Sequence, residues 1–82
     1  MLYGKCIELK KMIARYNSLQ YSEENWLHYE FEMFRDGEWS CVIKCDGVVD
    51  VRDFRPIFDY VSTFYVDPFM WGNEYGFRLH IQ

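Results

Sequence analysis

Apolar and polar residues alternate along most of the segment 27–45, and this period of two predicts a pair of antiparallel strands. The loop between the strands decides which side chains share a face. A two-residue turn at Asp36-Gly37 would place Glu32 opposite Cys41, a polar side chain against an apolar face. A three-residue loop of 35–37 avoids this mismatch and gives the pairs Met33–Trp39, Phe31–Cys41, Tyr29–Ile43 and Leu27–Cys45. The eight paired side chains would then share one inward face.

The same region also has the signals of a helix start, which leaves a second interpretation open. Ser22 is a suitable N-cap, Glu23 and Glu24 would lie in the first turn, and Gly37 would follow the last turn. The alternation after Leu27 favours strands over this helix.

Two other segments have the 3.6-residue period of amphipathic helices. The first should end near Asn17, and its apolar positions are Leu2, Cys6, Leu9, Ile13 and Tyr16. The second should be capped by Asp53, carry Pro56 in its first turn and end at Asp67-Pro68. Its apolar face would consist of Phe54, Ile57, Phe58, Val61, Phe64 and Tyr65.

Two more strands complete the predicted fold. A three-residue loop of 45–47 would pair Ile43 with Val49 and Cys41 with Val51, which makes 48–51 a third strand. The alternation over 76–82 predicts a final strand. The expected fold is therefore a single α+β domain spanning 1–82. It has two layers, a four-stranded, mainly antiparallel sheet with two helices on one face, in the order αβββαβ.

Composition limits the class of protein. Half of the 82 residues are hydrophobic and 21% are aromatic, which is typical of a folded chain and not of a disordered one. No apolar run approaches the roughly 20 residues that cross a bilayer, and the first residues lack a secretory signal pattern. Three cysteines, an odd number, favour free thiols over a disulfide framework. We therefore expect a soluble cytoplasmic protein.

Cys41 and Cys45 are the nearest approach to a chemical motif. Positions four apart on a strand are roughly 13 Å apart, too far for a disulfide or for two ligands of one zinc ion. We expect no metal and no cofactor, with Cys45 the most reactive thiol because it lies near a loop. No phosphate-binding loop, nucleophile elbow or His-Glu-x-x-His helix is present, and His28 fits a solvated strand face, so we expect no enzyme.

Direct binding of nucleic acid is also disfavoured. A helix, three strands and a helix is the element order of double-stranded RNA-binding domains, but those domains need basic side chains to contact phosphates. Here the start of the second helix offers only Arg52 and Arg55, beside Asp53 and Asp59. The shared order is one of topology alone, and the basic stripe on the first helix leaves only weak binding as an alternative.

Charge is distributed unevenly, and the acidic part coincides with the predicted hairpin. The net charge is −4, but residues 20–53 contain nine acidic residues against three basic ones. The outward face of the sheet would combine acids with large apolar groups, a pattern suited to a basic protein partner. The segment 67–76, predicted to be a loop, is either a second contact surface or a cap on the core. Together the candidate partner-binding residues are Trp26, Glu30, Glu32, Phe34, Glu38, Asp50, Phe69, Met70 and Trp71.

The sequence therefore predicts a small acidic module that binds protein. The first hypothesis is an inhibitor that docks on the basic, nucleic-acid-binding surface of a partner protein. By analogy of class, phage or mobile-element proteins that block host defence, such as anti-CRISPR inhibitors, have this character. The alternative is a structural subunit that assembles into a homo-oligomer or larger complex through the apolar segment 67–76. Salt should weaken the first kind of contact and spare the second.

Overall fold

The computed structural model describes residues 2–35, 38–62, 66–72 and 74–79. Two helices and four strands form an α+β domain: α1 Leu2–Ser18, β1 Leu27–Arg35, β2 Glu38–Cys45, α2 Val51–Ser62, β3 Val66–Trp71 and β4 Glu74–Leu79. The sheet has the order β1-β2-β4-β3, and every neighbouring pair is antiparallel. The predicted helices and three of the predicted strands are confirmed, in the order αββαβ, as α1, β1, β2, α2 and β4.

The register of the first hairpin is the predicted one. The structure pairs Met33 with Trp39, Phe31 with Cys41, Tyr29 with Ile43 and Leu27 with Cys45, and the register shifts between Met33 and Arg35. Arg35, predicted to lie in a three-residue loop, is instead the last residue of β1 and pairs with Glu38, so that part of the prediction is wrong. The register shift between Met33 and Arg35 keeps the apolar side chains opposite each other, as the alternation requires.

The helical interpretation of this region is wrong, although its capping signal is real. The Ser22 hydroxyl accepts a bond from the Glu24 N–H at 3.4 Å, but it caps only a 3-10 turn, Glu23–Asn25. The chain then becomes extended at Trp26. A cap can start one turn, whereas continuing the helix would require an apolar period of 3.6, which is absent here.

The predicted third strand at 48–51 is wrong. The partner of β2 on that side is β4, where Glu74 is paired with Lys44. The loop after β2 instead bonds to the 3-10 turn: the Gly47 N–H donates to the Glu24 carbonyl at 2.7 Å, and the Val48 N–H donates to Asn25 Oδ1 at 2.9 Å. The Val48 N–H, which belongs to the predicted strand, thus has a side-chain acceptor instead of a strand partner.

The second helix begins and ends earlier than predicted. It starts at Val51 because Asp50 is its cap: Asp50 Oδ1 accepts the N–H groups of Arg52 at 3.0 Å and Asp53 at 3.3 Å. Asp53, the predicted cap, lies inside the first turn. The helix ends at Ser62, well before the predicted stop at Asp67-Pro68.

The segment predicted as a loop, 67–76, is mostly sheet. Its first part belongs to the edge strand β3 and its last part to β4, joined through Gly72, whose φ of 60° is the left-handed conformation that glycine favours. Pro68 is tolerated because β3 has a neighbour on only one side. The predicted final strand therefore starts at Glu74, and 80–82 lie outside the described residues.

The helices and one face of the sheet share a single core. Its buried members are Leu9, Ile13, Tyr16, Leu27, Cys41, Ile43, Cys45, Phe54, Ile57, Val61 and Phe77. The prediction that all eight hairpin side chains turn to the core is only partly correct. Tyr29 is 38% exposed and Met33 61% exposed, because this face continues beyond the part that the core covers.

Among the described residues, no helix combines the length and apolar character that crossing a membrane requires.

Candidate protein-binding surface

The outward face of the sheet carries charged side chains in cross-strand rows. One row runs from His28 to Lys44 to Glu74, and here the Lys44 Nζ lies 3.0 Å from Glu74 Oε1. The hydrogen bond that Lys44 donates to Glu74 and the charge of that carboxylate raise the pKa of Lys44, and the carboxylates of Glu30 and Asp46 add smaller contributions. The central strand therefore presents an ion pair to solvent and not a lone positive charge.

Acidic side chains accumulate at the β1 side of this face. Glu30 lies opposite Val42, and Glu32 lies opposite Ser40, so neither is directly opposite a basic residue. The 3-10 turn that precedes β1 and the residue after β2 contribute further exposed acids. We call this set the acidic edge; its members are Glu23, Glu24, Glu30, Glu32 and Asp46.

Four predicted contact residues belong to the acidic edge or its surroundings. Glu30 and Glu32 are exposed on β1, and Trp26, 37% exposed, lies between the 3-10 turn and that strand. Phe34 is the penultimate residue of β1. These positions place Trp26 immediately before the strand that carries the exposed carboxylates of Glu30 and Glu32.

Glu38 and Asp50 are placed differently from each other. Glu38 opens β2 opposite Arg35, at the loop end of the hairpin. Asp50 was predicted to lie on the outward sheet face, and this is wrong because its carboxylate caps α2. Its role is structural, since the cap satisfies N–H groups that have no partner within the helix.

The other three predicted contacts lie on the opposite edge of the sheet. Phe69, Met70 and Trp71 belong to β3, where they pair with Gly76, Tyr75 and Glu74. Met70 is 68% exposed. The sheet order separates these residues from β1 by two intervening strands, so the nine predicted residues do not form one site.

Met70 instead lines an open apolar groove between α2 and the β3–β4 hairpin. The groove has a volume of about 630 Å³, and its lining residues are Val49, Val51, Phe54, Arg55, Phe58, Asp59, Met70, Tyr75, Gly76 and Phe77. Phe58 was predicted to face the core, but it is 48% exposed here, and Val51 is 77% exposed. The apolar surface of α2 therefore extends beyond its buried residues Phe54, Ile57 and Val61, and the sequence shows this as adjacent apolar residues at 57 and 58.

The cysteines provide no second site. Cys41 and Cys45 are both buried, and Cys6 is the half-buried thiol, so the prediction that Cys45 is the most reactive is wrong on accessibility. Burial, with a smaller contribution from Cys6, raises the pKa of Cys41 to about 12. Within the described residues, no three His, Cys, Asp or Glu side chains are grouped so that they could hold a metal ion.

Comparison with protein-family models, with curated proteins and with solved structures found no match for this chain. The surface features described above are the acidic edge and the apolar groove.

Proposed function

We propose that this protein is a non-enzymatic inhibitor whose acidic edge docks on the basic, nucleic-acid-binding surface of a partner protein. The observation that carries the proposal is the charge arrangement around β1. Five exposed carboxylates occupy the acidic edge, and the neighbouring Lys44 already bonds Glu74. A basic surface would therefore meet negative charge along this side of the molecule.

The physics of such a contact has two parts. Exposed carboxylates accelerate the encounter with a positive surface, an effect that salt screens. Burial of an aromatic side chain such as Trp26 then contributes to affinity after the encounter. Because the same basic surface binds nucleic acid, the two ligands would exclude each other. Phage or mobile-element proteins that act against host defence, including anti-CRISPR inhibitors, are the type of protein we infer.

A competition pull-down tests the proposal. The immobilised chain is exposed to lysate of its source or host at about 0.1 M and about 1 M salt, where the Debye length falls from about 10 Å to about 3 Å. Bound protein is then eluted with a nucleic acid duplex or single strand and identified by mass spectrometry. We expect a nucleic-acid-binding protein that both high salt and nucleic acid release.

A charge-matched pair of variants locates the surface. Glu30→Lys reverses a charge on the acidic edge, whereas Glu8→Lys makes the same change at an exposed position on α1. We expect Glu30→Lys to abolish capture and Glu8→Lys to retain it. Equal capture by the two variants, or partners that nucleic acid fails to displace, would refute this function.

A second candidate function is assembly into a homo-oligomer, and the apolar groove favours it. Arg55 and Asp59 lie one turn apart on α2, both exposed at the rim of the groove, with Arg55 Nε 3.9 Å from Asp59 Oδ2. In a two-fold contact between copies of α2, Arg55 of each copy would meet Asp59 of the other, over the apolar lining.

Sedimentation velocity separates the two candidates. If copies associate through the groove, Phe58→Asp should yield monomers, whereas Leu19→Asp, at a 60% exposed position after α1, should leave the oligomer intact. A wild-type chain that remains monomeric across its concentration range and across the same salt range would exclude assembly through the groove.

A further inference from the structure

On the side of β1 that faces away from β2, the described residues supply hydrogen-bond partners only to the first residue of the strand, Leu27. The Asn17 side chain bonds both backbone groups of Leu27: its Nδ2 donates to the Leu27 carbonyl at 3.1 Å, and its Oδ1 accepts the Leu27 N–H at 2.7 Å. Asn17 therefore acts as a one-residue substitute for a neighbouring strand. These bonds also show that the backbone groups of Leu27 point away from β2.

The orientation of Leu27 determines the orientation of every residue after it. In an antiparallel pair, the backbone groups of successive residues point alternately toward the partner strand and away from it. The groups of Tyr29, Phe31 and Met33 therefore point to the open side, as those of Leu27 do. Within the described part of the chain, no hydrogen bond to these three N–H or C=O groups is found on that side.

The side chains along this open edge have a definite chemistry on each face. On the outward face, Glu30 and Glu32 are exposed carboxylates. On the other face, Tyr29 and Met33 expose apolar surface, and Phe31 lies under the Lys10 ammonium, whose nitrogen is 5.6 Å from the ring centre. An added strand would need basic residues on one face and apolar residues on the other.

A second copy of β1 fits this edge poorly. Two-fold antiparallel pairing centred on Phe31 would place Glu30 of each copy directly opposite Glu32 of the other. Like charges directly opposite each other destabilise a strand pair, and charged residues on edge strands commonly prevent self-pairing in this way.

We propose that the open edge of β1 binds an extended segment of a partner protein by antiparallel strand addition. Lys or Arg side chains of that segment lie over Glu30 and Glu32, and the apolar residues between them lie beside Tyr29 and Met33. The proposal rests on the function proposed above, because it specifies how the acidic edge holds a basic partner. Main-chain bonds supply affinity in this mode of recognition, and the alternate side chains supply specificity.

The geometry predicts which amides of the segment form the bonds. Residues that pair in an antiparallel sheet place their side chains on the same face. The residues that bond Tyr29, Phe31 and Met33 are thus the apolar ones. The N–H groups of the basic residues point away and remain free.

Selective amide methylation of a peptide probe tests this prediction. The probe is a fluorescent peptide of about nine residues, the length of β1, with lysine and valine at alternate positions. One version is N-methylated at the valines and a matched version at the lysines, and binding to the full chain is measured by fluorescence anisotropy. Because three backbone bonds are lost, we expect valine methylation to weaken binding roughly 100-fold and lysine methylation to leave it unchanged.

A protein variant provides the reciprocal measurement. Tyr29→Pro removes one outward N–H, which an edge strand tolerates, and Tyr29→Val removes the ring but keeps that N–H. Hydrogen exchange of β2 amides reports whether each variant is folded. We expect a folded Tyr29→Pro variant to bind the lysine-methylated peptide more weakly than Tyr29→Val does. If Tyr29→Pro does not fold, the peptide methylation result decides alone.

The outcomes distinguish this proposal from the one on which it rests. In one outcome, Glu30→Lys abolishes binding of the probe, but the valine-methylated and lysine-methylated peptides both bind as well as the unmodified one. This result would overturn strand addition and retain the acidic docking surface. No binding of the probe, or association of the chain with itself that Tyr29→Pro abolishes, would also overturn it. Methylation-dependent binding together with a failed nucleic acid competition would support strand addition and refute only the inhibitor function.

Discussion

Tyr16 shows how one side chain can join distant parts of the chain. Its side chain is 2% exposed, its hydroxyl oxygen accepts the Asp50 N–H at 2.9 Å, and its ring meets Phe54 edge-on with centroids 6.3 Å apart. The helical period identified Tyr16 as a core residue, but only the tertiary structure brings Asp50 to its hydroxyl. Asp50 in turn caps α2, so this one bond couples α1 to the start of α2.

Removing that hydroxyl should therefore destabilise the protein. Tyr16→Phe leaves the Asp50 N–H without its acceptor, and we expect a loss of about 1–2 kcal/mol in the free energy of unfolding measured with urea. Tyr21→Phe is the control, because that side chain is fully exposed at the surface. Equal stability of the two variants would show that the bond contributes nothing net.

Cys41 should make the protein sensitive to alkaline pH. Burial raises the pKa of its thiol from the ordinary cysteine value of 9.0 to about 12 in the folded protein. Between these values the unfolded chain loses a proton that the folded protein retains. Below pH 9 this group therefore leaves the free energy of unfolding unchanged. Between pH 9 and about pH 12 it lowers the free energy of unfolding by about 1.4 kcal/mol per pH unit. The free energy of unfolding is measured with urea at several pH values between about pH 9 and about pH 10.5. For Cys41→Ala it should fall less steeply with pH than for the wild type, and an equally steep fall would contradict the prediction.

At the scale of elements, local signals predicted the type of structure better than its limits. Ser22 was a candidate cap of a long helix, but it caps only a 3-10 turn. Asp53 was the predicted cap of α2, but Asp50 caps that helix, which begins at Val51. Ser, Asp and Asn can cap from neighbouring positions, and packing of the helix decides which of them does so. Strand β3 was missed because Pro68 and Gly72 are loop signals, although an edge strand and its turn accommodate both.

The loop 46–50 gives a prediction at this scale, with a matched control elsewhere. A Cβ on Gly47 would clash with Asn25 Oδ1 and lie 2.8 Å from the Glu24 carbonyl oxygen, so Gly47→Ala must separate the loop from the 3-10 turn. We expect it to cost about 1–3 kcal/mol. Gly4→Ala, at an open position on α1, should instead stabilise the protein by up to about 1 kcal/mol. Thermal unfolding of the two variants tests the contrast, and a stable Gly47→Ala variant would show that the loop can shift freely.

At the scale of the whole molecule, the sheet order makes β2 one of the two interior strands, with β4 as the other. Strand β2 is bonded on one side to β1 and on the other to β4, and its residues Cys41 and Ile43 have no exposed surface. The basic helix α1 and the acidic edge give the molecule an uneven charge distribution. Only the tertiary structure shows that Lys44 joins Glu74 and leaves the β1 side acidic.

This order predicts a pattern of hydrogen exchange. Amides of the interior strands β2 and β4 should exchange more slowly than those of the edge strands, because each interior strand is paired on both sides. Within β1, the amides of Glu30 and Glu32 point toward β2 and should be protected, while those of Tyr29 and Phe31 should exchange fast. Residue-resolved exchange by NMR measures this alternation. Uniform protection along β1 would mean that its outer side is covered, and would also remove the basis for strand addition.

The sequence by itself determined the two amphipathic helices, the first hairpin and its register. These depend on periods of 3.6 and 2 and on one loop, all of which are local. Only the tertiary structure decided that β4 and not the segment 48–51 lies beside β2, and that 66–71 forms an edge strand. Strand neighbours are chosen by burial and backbone bonding between residues far apart in the chain, where several pairings have similar local propensities. For the same reason, the sequence identified Glu30 and Glu32 as surface acids, but only the bonds from Asn17 to Leu27 revealed the open backbone edge beneath them.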